Sequence, residues 1–165
     1  ENIFSIQESF IQSSAIPVAM LGLLSAIPGT DLYIRLKQEG RIVEQVTGNN
    51  TDGTLNFIPK MNREKLIQGY RDLMKRIYTP KAYFHRAYAS LERMRKAPKK
   101  TRTRITLSDL RALLQSFMVQ GFWRKGRFQY WKYLTKTILF HRKRLEEAMT
   151  LAIMNYHFQK IKCLP

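Results

Sequence analysis

A single cysteine, Cys163, stands among 165 residues. One cysteine closes no internal disulfide. Without a His/Cys cluster it builds no zinc or iron–sulfur site. A reducing, cytoplasmic setting is the default expectation. No window holds the ~18 uncharged apolar residues that a transmembrane helix needs. The start, Glu1-Asn2-Ile3-Phe4, has no basic leader followed by an apolar block, so no signal peptide is expected there. It also has no initiator Met, which fits a piece cut from a longer chain. The P-loop, the dinucleotide Gly-rich fingerprint, the zinc signatures and the hydrolase elbow are all missing. The histidines His85, His141 and His157 lie far apart on helical segments. Asp31 and Glu39 have no spacing that argues for acid/base work. No catalytic residue and no metal ligand is assigned.

Acidic residues are scarce where bases crowd. Between Arg93 and Arg144 sixteen Lys and Arg face one acid, Asp109, a net charge of +15 out of +17 for the whole chain. Such a block favours a polyanion: an anionic membrane surface, nucleic acid or an acidic partner. The alternative is a solvated surface whose acidic counterpart lies elsewhere in the protein. Aromatics interleave with these bases in Phe122-Trp123-Arg124-Lys125 and Arg127-Phe128-Gln129-Tyr130-Trp131-Lys132. Mixtures of this kind occur in nucleic-acid binders and on membrane-surface helices. At helical spacing Phe128, Trp131 and Leu134 read more simply as core.

What is present is mostly helix. Residues 2–14 have Ile3, Phe4, Ile6, Phe10 and Ile11 along one side. Val18 to Leu24 is an unbroken apolar run, which reads as a strand buried on both faces. No other segment looks like its partner. Pro28-Gly29 turns the chain, Thr30 caps a helix, Asp31 suits its first turn, and Gly40 stops it. Residues 41–61 are dense in turn formers and read as a linking loop. From Asn62 on, apolar stripes at 3-and-4 spacing follow one another. Thr79-Pro80 supplies an N-cap and a Pro at the first helical position, Thr106 and Asp109 stand at capping-box spacing, and a break is expected near His141. The fold class is therefore mainly α. About five to seven helices follow a helix–strand–helix piece, with boundaries at 1–40, 41–61 and 62–165.

Gly22-Leu23-Leu24-Ser25-Ala26-Ile27-Pro28-Gly29-Thr30-Asp31-Leu32-Tyr33, followed by Arg35-Leu36 and Glu39-Gly40-Arg41, resembles the last barrel strand and helix of radical S-adenosylmethionine (SAM) proteins. More narrowly, it is similar to those with an N-terminal cobalamin-binding domain. The stretch from Gly48-Asn49-Asn50-Thr51-Asp52-Gly53-Thr54 to Leu55-Asn56-Phe57-Ile58-Pro59-Lys60-Met61 resembles the start of the helical domain that follows the barrel in many of them. Tyr70, Tyr78-Thr79-Pro80-Lys81-Ala82-Tyr83 and Ala152-Ile153-Met154-Asn155-Tyr156-His157-Phe158 fit the same domain.

The resemblance implies a parent enzyme, methyltransferase-like and related to hopanoid-modifying enzymes, that cleaves SAM reductively at an iron–sulfur cluster and also uses cobalamin. The cluster's Cys-x-x-x-Cys-x-x-Cys motif is absent from this chain, so no activity is expected of it alone. It implies that Ser25 and Pro28 lie near SAM, and that the loop residues Asn49, Asn50, Asp52 and Asn56 close the barrel near substrate. The chain would then be a non-catalytic cap that positions substrate. Its first partners would be the missing cobalamin and radical SAM domains. A second copy, paired through the orphan strand, is a further candidate. The alternative function is a basic helical module on an anionic membrane or, less favoured, on nucleic acid. The expected location is cytoplasmic, with peripheral membrane attachment as an extension.

Overall fold

The computed structural model describes residues 3–43, 55–94, 107–123 and 126–161. Asn49, Asn50, Asp52, Thr106 and Cys163 lie outside them. Among the described residues there are seven α-helices: α1 (Ile3–Ser14), α2 (Asp31–Gln38), α3 (Arg63–Ile77), α4 (Pro80–Arg93), α5 (Leu107–Met118), α6 (Arg127–Phe140) and α7 (Leu145–Ile161). A π-helical turn, Val119–Trp123, extends α5, and a 3₁₀ turn, Arg142–Arg144, precedes α7. The chain is mainly helical, as its periodicity predicts. Contacts divide it into two compact units, Glu1–Ser5 with Met20–Met74 and Ile6–Ala19 with Lys75–Pro165.

The strand predicted over Val18–Leu24 does not form. Among the described residues the one β feature is an antiparallel bridge between Ile42 and Phe57. A lone apolar run has no neighbouring strand to satisfy its backbone; side chains meet it at Ala19 and Leu21, and meet the flanking residues Ile16, Pro17 and Ala26. In the first unit the Tyr70 hydroxyl donates to the Leu21 carbonyl at 3.2 Å. The Asn56 amide holds Ala26 from both ends. In the second unit the Ala19 N–H donates to the Tyr78 oxygen at 3.1 Å, and the Tyr78 hydroxyl donates to the Ala19 carbonyl at 2.7 Å. There Arg86, wholly buried, donates from Nε to the Ile16 carbonyl at 3.0 Å and from Nη2 to that of Pro17 at 3.4 Å. Leu23 and Ala26 reach the core while Met20 and Leu24 stay exposed.

The first unit closes around Leu23, Ala26, Leu36, Leu55 and Phe57, with Leu32, Tyr33, Leu66, Ile67 and Tyr70 packed on them. The start and stop of α2 follow the sequence signals. Thr30 Oγ1 accepts from the Tyr33 N–H at 3.3 Å. At the other end Gly40 has φ +66°, and the Arg41 N–H closes back on the Leu36 carbonyl at 2.9 Å. A left-handed residue of this kind satisfies the helix's last carbonyls, and glycine adopts it at least cost.

The second unit is built on aromatic residues of α4 and α6 against α7. Phe84 lies between Tyr130 and Tyr133, at ring-centroid distances of 6.0 and 5.1 Å. The Tyr83 hydroxyl donates to the Leu151 carbonyl at 2.7 Å, and that of Tyr133 to Ala148 at 3.1 Å. Buried phenols need such partners. Thr79 caps α4 by accepting from the Ala82 N–H at 3.3 Å, with Pro80 in the first turn. The chain breaks at His141 as predicted. The core face of α6 differs from expectation. Leu134 is buried, but its companions are Tyr130, Tyr133 and Thr137, while Phe128 and Ile138 point to solvent and Trp131 is 37% exposed. The 128–131–134–138 spacing is helical, yet α6 has apolar residues on both faces, and spacing alone does not tell which face packs inward.

Candidate functional site

Ser25 and Pro28 lie on either side of Ala26, just past the apolar run. Asn56 is 5% exposed. Its Oδ1 accepts from the Ala26 N–H at 2.9 Å, and its Nδ2 donates to the Ala26 carbonyl at 2.8 Å. A side-chain amide presents one donor and one acceptor side by side, as a peptide group does. Asn56 therefore acts on Ala26 as one residue of a neighbouring strand would. Its own backbone carbonyl accepts from the Val43 N–H at 2.9 Å, and the Ile58 N–H returns to the Arg41 carbonyl at 2.8 Å. The Ile42–Phe57 bridge thus fixes Asn56, and Asn56 fixes Ala26.

On the other side of Ala26 the Ile27 carbonyl accepts from the Thr30 N–H at 3.2 Å and from Thr30 Oγ1 at 2.7 Å. This turn carries the exposed Pro28, while Ser25 is half-buried. Arg41 ties the end of α2 to the same framework. Its Nε and Nη2 donate to the Ile58 carbonyl at 2.9 and 2.5 Å, and its Nη1 donates to Glu39 at 2.7 Å. The hydrogen bond from Arg41 holds the Glu39 carboxyl below its usual range.

The structure therefore brings Ser25, Pro28 and Asn56 into one framework; the remaining loop candidates lie outside the described residues. Nearby, the run Phe57–Arg63 lines a shallow depression of about 250 Å³, below the size that usually encloses a cofactor or drug-sized ligand. Among the described residues no group of three or more His, Cys, Asp or Glu is placed to hold a metal ion. His141 meets the Tyr88 ring at 5.4 Å.

Sequence reasoning named Asn56, Tyr70 and Tyr78 only as motif residues, and Arg86 drew no attention, since periodicity records burial and not hydrogen bonding. A buried polar set in the second unit went unseen for the same reason. Gln120, in the π-helical turn, donates from Nε2 to the Ala152 carbonyl at 2.7 Å and to Ser116 Oγ at 3.0 Å. The Asn155 amide donates to Gln120 Oε1 at 3.1 Å. With its groups satisfied in this way, the set ties α5 to α7.

The family described as a domain of unknown function, DUF4070, matches residues 30–163. The chain is similar to the uncharacterized methyltransferase sll1242 of Synechocystis sp., 32% identical over 151 residues that cover 90% of this chain and 28% of that protein. It is also similar to the hopanoid C-2 methylase of Rhodopseudomonas palustris, 24% identical over 154 residues with the same two coverages. The chain thus spans 28% of the length of these relatives. No solved structure matches it.

Proposed function

The chain belongs to the DUF4070 family, and from that premise we propose that it is the accessory region of a radical SAM enzyme of the methyltransferase type. In this reading its helices cap the barrel and help position substrate, and the chemistry is done elsewhere in the parent. The observation that carries it is the two-point hold of Asn56 on Ala26, between Ser25 and Pro28. It aligns a backbone edge that the motif resemblance assigns to the mouth of the barrel. The printed names of the two relatives, a methyltransferase and a methylase, support the reaction class.

The residues present do not fit the parent's iron–sulfur cluster. Such clusters are held by several thiolates, and this chain has one cysteine. In this reading the cluster and cobalamin are held by the rest of the parent. Toward SAM the chain offers Ser25 and the exposed Pro28 turn, beside Ala26, whose two polar backbone groups are held by Asn56. The role of this chain is orientation. Misplacing a reacting group by about 1 Å costs on the order of a hundredfold in rate, so a segment near SAM needs a rigid mount.

The test is Asn56→Ala in the full-length protein, with reductive SAM cleavage as readout and circular dichroism as the check on folding. Cleavage should fall by about tenfold or more in a protein that keeps its helical signal. Cleavage and product formation both at the wild-type rate would refute the positioning role.

A further inference from the structure

Helix α6 is apolar on two faces. The inner face, Tyr130, Tyr133, Leu134 and Thr137, is buried against its neighbours. The outer face carries Phe128, 75% exposed, and Leu139, 70% exposed. Trp123, 90% exposed, projects from the π-helical turn. That turn is joined to α6: the Trp131 Nε1–H donates to the Gly121 carbonyl at 2.9 Å, and the Phe122 and Trp131 rings meet edge to face at 6.1 Å. The exposed aromatics therefore sit on one continuous support. Soluble surfaces expose single apolar residues routinely, but a grouped set marks a contact surface.

Its surroundings identify the partner. Arg127 lies over the Phe128 ring at 5.2 Å, and Lys132 is exposed on the same outer side of α6. No Asp or Glu occurs from Leu110 to Leu145. Lys is depleted from the centres of protein–protein interfaces. Nucleic-acid platforms use rings and cations, and an aliphatic Leu139 adds no stacking partner for a base. Helices that lie in a lipid interface combine all three: Trp and Phe at headgroup depth, aliphatic side chains below them, and Lys or Arg toward anionic lipid. We infer that the outer face of α6, together with Trp123, docks on an anionic bilayer. No helix among the described residues is long and apolar enough to cross a membrane, so the contact is peripheral. It stands on observations separate from those behind the accessory role.

The test is sedimentation of the full-length protein with vesicles of phosphatidylcholine alone, or of equal parts phosphatidylcholine and phosphatidylglycerol. The wild type should sediment with the anionic vesicles and not the neutral ones. The pair Trp123→Ser with Phe128→Ser should weaken this by about tenfold or more, through lost apolar burial. The pair Arg127→Gln with Lys132→Gln should weaken it by on the order of fivefold per charge at low salt. All four side chains are exposed; if a pair misfolds by circular dichroism, Trp123→Ser alone should still show a loss. No binding of the wild type to anionic vesicles overturns the inference. So does binding that ignores the aromatic substitutions, or RNA binding that outcompetes the vesicles and depends on the same residues.

Discussion

Replacing Asn56 by Ala removes both ends of its hold on Ala26 at once. Ala26 is fully buried and Asn56 nearly so, so water cannot enter to replace the lost partners without opening the unit. The Ala26 N–H and carbonyl, bonded at 2.9 and 2.8 Å, are then left bare. A buried polar group without a partner costs about 1–3 kcal/mol. Two of them, less some relaxation, put the local loss at about 2–5 kcal/mol. Hydrogen–deuterium exchange in the full-length protein reads this locally, on a peptide that contains Ala26. Protection there should fall by on the order of thirtyfold or more, while peptides from α4 and α6 keep theirs. Unchanged protection at Ala26 in Asn56→Ala would refute the strand-replacement role of this side chain.

Gly126→Ala should destabilise the second unit by about 1–3 kcal/mol, read as a lower urea midpoint. Gly126 has φ +118°, and a Cβ there would lie 2.6 Å from Pro80 Cγ in a rigid ring; an unchanged midpoint would show that the Gly126–Pro80 approach is loose. A second expectation concerns alkaline pH. Burial raises the hydroxyls of Tyr83, Tyr130 and Tyr133 above the usual phenol value. The unfolded chain starts to lose these protons near pH ~10 while the folded chain keeps them, so stability is intact below that pH. It then falls by up to about 1.4 kcal/mol per pH unit for each residue as pH rises toward the folded values. A urea midpoint that stays flat above about pH 10 would contradict this.

Local signals were legible where one residue type does one job. Thr30, Thr79 with Pro80, and Gly40 start or stop helices through their own backbone or hydroxyl chemistry, and they do so here. Apolar spacing also located the stripes of α3 and α4, where Leu73, Ile77, Tyr83, Phe84, Ala87 and Leu91 are buried. It failed at Val18–Leu24, because an apolar run reports burial and says nothing about which groups meet its backbone. The side chains that meet its backbone, Tyr70 and Tyr78, and those that meet its flanks, Asn56 and Arg86, are 30 to 70 residues away from their partners in the chain. The face of α6 was misjudged for a related reason. With aromatics all round the helix, only tertiary contacts select Tyr130 and Tyr133 over Phe128. Of the candidate site, Ser25, Pro28 and Asn56 were visible as a motif, but the hydrogen bonds from Asn56 to Ala26, between Ser25 and Pro28, were not.

The most direct test of the accessory role is transfer of a labelled methyl group from SAM by the reduced full-length protein in extract of its own cells. Label should leave SAM for a product in the intact protein. Transfer should collapse when residues 62–165 are deleted, even if the remainder still binds SAM. Undiminished transfer without those helices, or SAM turnover with no label leaving it, would contradict an accessory region serving a methyltransferase.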